Sequence, residues 1–246
     1  MAIYALGWGL VAGSAALIGA LIGWHVRPPP RLIALLLAFA SGTLLSVAAF
    51  ELFDEAFAHG GPVASVVGFL IGAALFAAGL AWFDRRGARH RKRSAEAVVA
   101  GRDVAGIVAP ATVVDGIPEA LIIGINFYDG TRLGIATVIA VFLSNIPESL
   151  SSTARMRTLR RRPSYVAGVW IGVALVTGLA SFAGYTLLGD LPAEGKAVLQ
   201  AMAGGAFLVY IADGAIPEAF AETRDLTGLA MAIGFLTGYS LSAFLG

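Results

Sequence analysis

The chain has 246 residues, of which 58% are hydrophobic and only 13% are charged, and its formal net charge is +1. This composition excludes a soluble domain of the same length, because too few charged side chains are present to cover a water-facing surface. Cysteine is absent, which also excludes a disulfide framework and a thiolate metal site.

Eight long apolar runs follow one another along the chain. A run of roughly 18–20 apolar residues crosses about 30 Å of hydrocarbon, and it must be helical because its backbone has to satisfy its own hydrogen bonds in lipid. The first run has no basic segment before it and no evident cleavage site, so we expect it to be retained. We predict an all-α integral membrane protein with a single transmembrane domain over residues 1–246. The predicted spans are 3–24, 32–57, 63–83, 104–127, 133–156, 165–188, 197–221 and 226–245.

The loops between these spans differ strongly in charge. Fifteen of the seventeen Lys and Arg residues lie after spans 1, 3, 5 and 7 or at the adjoining helix ends, many of them in a basic loop at about 84–103. Only Arg132 and Lys196 lie on the other side. Because cytoplasmic loops carry the positive excess, we expect a cytoplasmic basic side, both termini outside, and the plasma (inner) membrane of a prokaryote. This bias accounts for the basic loops, so no nucleic-acid partner is expected.

Acidic residues occur where a membrane span should have none. An ionised group at the bilayer centre costs roughly 2.5–3.5 kcal/mol, and such groups mark functional sites by default. The interior of the spans holds no Lys or Arg to pair with them, which indicates a cation that binds and leaves. The alternative is that each acid is a protonated structural carboxylate. Eight of the sixteen Asp and Glu residues lie within or at the ends of the spans: Glu51, Asp54, Glu55, Asp115, Glu119, Glu148, Asp213 and Glu218.

The spacing of the acids in spans 4 and 5 points to one site. Asp115 and Glu119 are four residues apart, and Asn145 and Glu148 are three apart, so each pair shares a helix face. A proline precedes each of these two glutamates, and Ile-Pro-Glu occurs a third time, ending at Glu218. A proline inside a helix frees a backbone carbonyl and kinks the helix. Interrupted helices that meet at the membrane midplane are typical of transporter binding sites.

The sequence also contains an internal repeat. Residues 39–57 match residues 202–220 at a constant offset of 163. The matches include Gly42 with Gly205, and both segments end in Glu-Ala-Phe, which begins at Glu55 in one and at Glu218 in the other. Spans 2 and 7 are five spans apart, so they cross the membrane in opposite directions. We therefore predict an inverted repeat of helices 1–3 and 6–8 around central helices 4 and 5, an arrangement that suits alternating access.

These motifs resemble the ZIP (Zrt/Irt-like) family of divalent metal transporters over the whole chain. Residues 115–120 read Asp-Gly-Ile-Pro-Glu-Ala, where the family pattern is His-Asn-x-Pro-Glu-Gly, and residues 144–149 read Ser-Asn-Ile-Pro-Glu-Ser, where it is (His/Gln)-Asn-Ile-Pro-Glu-Gly. The acidic endings of spans 2 and 7 are similar to the family as well. The resemblance implies import of Zn²⁺ or related ions into the cytoplasm, often by a homodimer, without a prosthetic group.

The expected metal site consists of oxygen ligands alone. Asp115 stands where the family pattern has histidine, and all three histidines of the chain lie outside the span interiors. Oxygen ligands favour harder ions than Zn²⁺, such as Mg²⁺, Mn²⁺ and Ca²⁺. The candidate cargoes beside zinc are Mn²⁺, Fe²⁺, Cd²⁺ and Mg²⁺. Spans 4 and 5 are expected to supply the central ligands: Asp115, Glu119, Ser144, Asn145 and Glu148. Further acids are expected at the two mouths of the ion path through the protein: Glu51, Glu55, Asp213 and Glu218.

Two other classes of protein remain open. A metal-gated channel or a metal sensor would use the same carboxylates without alternating access. An intramembrane enzyme is a weaker alternative, because the spans contain no Ser–His pair or similar arrangement of nucleophile and base. The sequence therefore predicts a transporter and not an enzyme, with the divalent ion and the lipid bilayer as its partners.

Overall fold

The computed structural model describes residues 2–26, 28–83 and 105–245, without the side chains of 105–115, 131–133, 136 and 245. Every secondary-structure element within these ranges is helical, which confirms the predicted all-α class. The predicted basic loop at 84–103 lies outside the described residues.

The helices follow each other with short connections. Pro30 and Pro163 lie in the first turns of two of them, where the missing N–H of proline leaves no hydrogen bond unmade. Three π-helical segments interrupt or extend the α-helices: Ala48–Phe53, Gly184–Leu188 and Ile211–Ala215. The α-helices of the described ranges are α1 (Ala2–His25), α2 (Pro30–Val47), α3 (Asp54–Phe83), α4 (Ala105–Asp129), α5 (Thr131–Thr158), α6 (Pro163–Ala183), α7 (Ala193–Tyr210), α8 (Ile216–Thr223) and α9 (Thr227–Leu245).

Helix length and composition support a membrane location. Among the described residues, four helical stretches are long and apolar enough to cross a membrane: Ala2–His25, Pro30–Trp82, Pro163–Leu188 and Ala193–Phe244. The second and fourth have 53 and 52 residues, so at about 1.5 Å per residue each exceeds twice the hydrocarbon thickness. Gly61 interrupts the second stretch with a φ of 71°, a left-handed conformation that glycine adopts without strain.

The distribution of side chains is the reverse of that in a soluble protein. Large apolar side chains are exposed along α1, α3, α6 and α9, among them Leu21, Leu70, Leu75, Leu179 and Leu236. The interior instead holds many alanines together with buried serine, threonine, asparagine and glutamate side chains. Since exposed apolar surface of this extent is unfavourable in water, these outer faces are suited to lipid.

Close helix crossings depend on glycine. The helix α2 packs on α9, and α3 packs on α7. A Cβ on Gly42 would lie 1.9 Å from the carbonyl oxygen of Met231, and one on Gly205 would lie 2.1 Å from that of Phe69. Gly42 and Gly205 are equivalent in the sequence repeat, and the π segments that begin at residues 48 and 211 differ by the same offset of 163. The two halves of the chain therefore share these local features.

We expect Gly42→Ala to destabilise the protein, because its new methyl group meets backbone atoms of α9 that cannot rotate away. Overpacking of this kind costs about 1–3 kcal/mol, which should appear as a lower midpoint of thermal unfolding in detergent. Gly172→Ala on α6 is the matched control, since no atom lies within 4 Å of its added Cβ. Equal midpoints for the two variants would contradict the close α2–α9 crossing.

Candidate metal-ion site

A pocket inside the helical bundle brings together residues of the two Pro-Glu motifs. Glu119 of α4 and Glu148 of α5 both line it, and so does Asn145. Glu119 is buried, whereas Glu148 and Asn145 are partly exposed to the pocket. Both helices continue through their prolines without a break in helical structure. The lining residues are Phe76, Gly116, Pro118, Glu119, Val141, Asn145, Glu148, Val173, Thr177, Ala206, Phe207 and Tyr210.

Neighbouring helices orient the polar groups of this pocket. The hydroxyl of Tyr210 on α7 donates a hydrogen bond to Oε1 of Glu148. The side-chain nitrogen of Asn145 donates to the carbonyl oxygen of Ala12 on α1, at 3.2 Å. This bond engages the nitrogen end of the amide, so the oxygen end is the one suited to a cation. Two neighbouring helices, α1 and α7, thereby hold Asn145 and Glu148 in place.

The donor set of the pocket is made of oxygen. Two carboxylates and a carboxamide oxygen suit hard divalent ions such as Mg²⁺ and Mn²⁺, and Zn²⁺ also accepts carboxylate. Within the described side chains, no three His, Asp or Glu residues gather closely enough to hold a metal ion by themselves. The predicted third acid, Asp115, belongs to α4, but its side chain lies outside the described residues.

The other predicted ligands lie elsewhere. Ser144 is buried, and its hydroxyl donates to the carbonyl oxygen of Val141 one turn earlier in α5, at 3.0 Å. Asp213 is exposed within its π segment. Ser144 and Asp213 do not line the pocket. Glu51, Glu55 and Glu218 belong to two further polar clusters, one at either end of the bundle interior.

The first of these, called the amide cluster below, joins five helical segments. Glu51 lies in the π segment after α2, and Thr137 Oγ1 of α5 donates to its Oε2 at 3.4 Å. Asn126 Nδ2 of α4 donates to Thr137 Oγ1 at 2.8 Å. Gln200 Nε2 of α7 donates to Glu55 Oε2 at 3.1 Å and to Asn126 Oδ1 at 3.4 Å. The amide cluster is therefore Glu51, Glu55, Asn126, Thr137 and Gln200.

The second, called the arginine cluster, contains Ser151, Arg155 and Glu218. Arg155 of α5 forms an ion pair with Glu218 of α8, and Ser151 Oγ donates to Glu218 Oε1 at 2.7 Å. Sequence reasoning placed Glu218 at a mouth of the path but did not identify Arg155 as its partner. The pair ties α5 to α8 at the end of the bundle opposite to the amide cluster.

We expect the Arg155–Glu218 pair to contribute modestly to stability, because the two side chains are 29% and 32% exposed. An ion pair this accessible to solvent is worth about 1 kcal/mol or less. Arg155→Gln and Glu218→Gln should each lower the midpoint of thermal unfolding slightly. Because either substitution already breaks the ion pair, the double variant should be no less stable than the less stable of the two single variants. Strictly additive losses in this double-mutant cycle would show that the two side chains are not coupled.

One face of α5 connects all three polar regions. Thr137, Ser144, Glu148, Ser151 and Arg155 follow at intervals of 7, 4, 3 and 4 residues, which keeps them on one side of a helix. Eighteen residues of helix rise about 27 Å, close to the thickness of the hydrocarbon layer. This stripe is the sequence signal that could have identified Thr137 and Arg155 in advance.

An apolar layer separates the amide cluster from the pocket. Ile122 lies between Glu119 and Asn126 along α4. Ala140 and Phe207 lie at the corresponding heights of α5 and α7, between the residues of those helices that belong to the two polar regions. All three apolar residues pack in one buried cluster. Phe207 also lines the pocket, so this apolar cluster borders the pocket at that residue.

Fold and site together define a class of protein: a helical bundle with an apolar exterior and a buried pocket of carboxylate and amide oxygens. No protein-family model matches the chain, and no curated protein matches it significantly. The likeness of the two Pro-Glu motifs to the ZIP family therefore remains an interpretation of the sequence.

Proposed function

We propose that the protein is a carrier that moves divalent metal cations across the membrane through the pocket between α4 and α5. The observation that carries this proposal is the meeting of Glu119, Asn145 and Glu148 in one pocket inside a bundle with an apolar surface. Acidic groups inside a membrane protein mark functional sites by default, and the described lining of this pocket offers carboxylate and amide oxygens, the ligand type that hard divalent cations take.

The proposed carrier has eight spans with an inverted repeat of helices 1–3 and 6–8. The lengths of Pro30–Trp82 and Ala193–Phe244 support two crossings each. The matching glycine crossings and π segments, both related by the offset of 163, support the repeat. The loop charges favour a cytoplasmic side at the arginine cluster and extracytoplasmic termini. The amide cluster then faces outward.

The apolar layer favours a carrier over a channel. A channel needs a continuous polar path when it is open, whereas a carrier closes the path on one side of its site at all times. Ile122, Ala140 and Phe207 belong to one buried cluster at helix levels between the amide cluster and the pocket, and the Arg155–Glu218 ion pair lies beyond the pocket along α5. The proposed carrier therefore exposes the pocket to one side at a time.

The proposed cargo is a divalent ion that accepts oxygen ligands, and the proposed direction is into the cytoplasm. Zn²⁺ follows from the ZIP-like motifs, Mn²⁺ and Mg²⁺ follow from the oxygen-only donor set, and Fe²⁺ and Cd²⁺ are further candidate ions. A homodimer in the plasma membrane of a prokaryote is part of the same proposal, since it also follows from the resemblance.

Flux into liposomes tests the proposal directly. Purified protein, reconstituted into vesicles that contain a metal-sensitive dye, should give uptake of Mn²⁺ and Zn²⁺ that saturates with concentration. Protein-free vesicles are the control for leakage. Unitary currents in a planar bilayer would instead indicate a channel, and no flux of any divalent ion would overturn the carrier. Turnover of lipid or peptide substrates would support the enzyme alternative.

A further inference from the structure

The amide cluster has a feature that hydrogen bonding within the protein does not explain. Glu51 is only 4% exposed, and one of its carboxylate oxygens, Oε1, is buried without a hydrogen-bond partner among the described residues. The Ser242 hydroxyl of α9 approaches the carboxylate but does not complete a hydrogen bond to Oε1. A buried acceptor left in this state carries an uncompensated desolvation cost, which is larger if the group is charged.

The surroundings of this carboxylate are unusual for a structural acid. Glu55 lies one helical turn further on, and within the described part of the chain neither glutamate forms an ion pair. Asn126, Thr137 and Gln200 are buried, and their hydrogen bonds link the two carboxylates into one network. The basic residues His59 and Lys196 act on Glu55, whereas no basic residue is among the described groups that act on Glu51, so the charge of the Glu51 carboxylate is the one that a bound cation would balance.

We infer that the amide cluster is a second cation site, separate from the pocket, which binds a divalent ion while part of its water shell is retained. Two carboxylates with amide and hydroxyl oxygens are too few ligands to replace a full hydration shell. They match the way in which Mg²⁺-like ions bind, through one or two carboxylates and several waters. Glu51 Oε1 is the oxygen placed to contact the ion directly.

The position of the cluster distinguishes this site from the pocket. Asn126 lies seven residues beyond Glu119 on α4, which corresponds to about 10 Å along the helix. The apolar layer of Ile122, Ala140 and Phe207 lies between the two levels. An ion at the amide cluster is therefore not shared with Glu119 or Glu148. The π-helical geometry around Glu51 is also a common accompaniment of functional sites.

The test counts Mn²⁺ ions bound to the purified full-length protein, by the loss of the free Mn²⁺ signal in electron paramagnetic resonance. We expect two ions for the unmodified chain. The double variant Glu119→Gln/Glu148→Gln should retain one ion, held by the amide cluster. In that background, Glu51→Gln should weaken the remaining site by more than about tenfold, because even the loss of a group that only supports a ligand costs about 10–100-fold. Asp54→Asn is the matched control, since Asp54 is exposed beside Glu55 and should leave both ions in place.

The outcomes separate this inference from the proposed function. A single ion that disappears in the Glu119/Glu148 variant and is insensitive to Glu51→Gln would overturn the second site and leave the carrier proposal standing. A single ion that depends on Glu51 alone would support the amide cluster and count against the pocket. If Glu51→Gln does not fold, Glu55→Gln, at the partly exposed edge of the cluster, should give the same tenfold loss, and unchanged affinity in that variant would overturn the inference.

Discussion

Replacing Glu119 or Glu148 with glutamine is expected to lower the initial rate of divalent-metal uptake by about 100-fold or more. Loss of a group that only supports a metal ligand costs 10–100-fold, and these residues are proposed to be ligands themselves. Glutamine keeps the size and one oxygen of glutamate but removes the negative charge. Among the described residues, these two glutamates are the acids that line the pocket, so each substitution removes one of its two carboxylates.

The structure suggests a graded companion to this experiment. Tyr210 donates a hydrogen bond to Glu148, so Tyr210→Phe removes a supporting contact without removing a ligand. Its loss of uptake should lie between that of the unmodified protein and that of Glu148→Gln. The measurement is the initial rate of Mn²⁺ uptake by reconstituted vesicles, with thermal unfolding to check that each variant is folded.

Glu222→Gln provides the matched control for the charge. Glu222 is an exposed residue near the end of α8, remote in sequence from the pocket motifs, and its substitution should leave uptake unchanged. Normal transport by both Glu119→Gln and Glu148→Gln would show that the ion does not pass through this pocket.

Local spacing was sufficient to predict the centre of the candidate site. Glu119, Asn145 and Glu148 belong to motifs whose helical periodicity and preceding prolines are visible in the sequence, and the structure places all three on one pocket. Contacts between helices were harder to predict from the sequence. Tyr210 meets Glu148 across 62 residues of sequence, and no local pattern indicates which tyrosine of the chain faces an acid.

The neutral polar residues were missed for a different reason. Asn126, Thr137 and Gln200 carry no charge, so a search for intramembrane acids passes over them, although each is buried and joins the network around Glu51 and Glu55. Glu218 shows the same limit. Its position was predicted to be a mouth of the path, but its ion pair depends on how α8 lies against α5, which apolar periodicity does not determine.

The π segments were also beyond sequence reasoning. Helix propensity and hydropathy are nearly the same for a regular turn and for a turn with one extra residue. The repeat at an offset of 163 nevertheless predicted that residues near 48 and 211 are equivalent, and π segments begin at both positions. A sequence repeat can therefore predict that two segments share a backbone conformation without predicting which conformation it is.

The second large effect is expected from Asp115→His, which should shift the preference of the proposed carrier from Mn²⁺ toward Zn²⁺. Asp115 lies four residues before Glu119 in α4, and residues at this spacing lie on one face of a helix. It stands where the ZIP pattern has histidine. An imidazole nitrogen favours Zn²⁺, whereas a carboxylate favours harder ions and tolerates several. A change in the Zn²⁺/Mn²⁺ uptake ratio of about tenfold corresponds to 1.4 kcal/mol of differential binding.

Competition uptake of the two ions at several pH values measures this effect together with its proton dependence. Carboxylates bind metal only when they are deprotonated, so uptake by the unmodified protein should weaken as pH falls. The histidine variant should also lose uptake at low pH, because imidazole must be neutral to bind Zn²⁺. Asp54→Asn, an exposed acid on α3, should change neither the ion ratio nor the pH profile. An unchanged Zn²⁺/Mn²⁺ ratio in Asp115→His would mean that residue 115 does not contact the ion, and that the likeness to the ZIP motif does not extend to its first ligand.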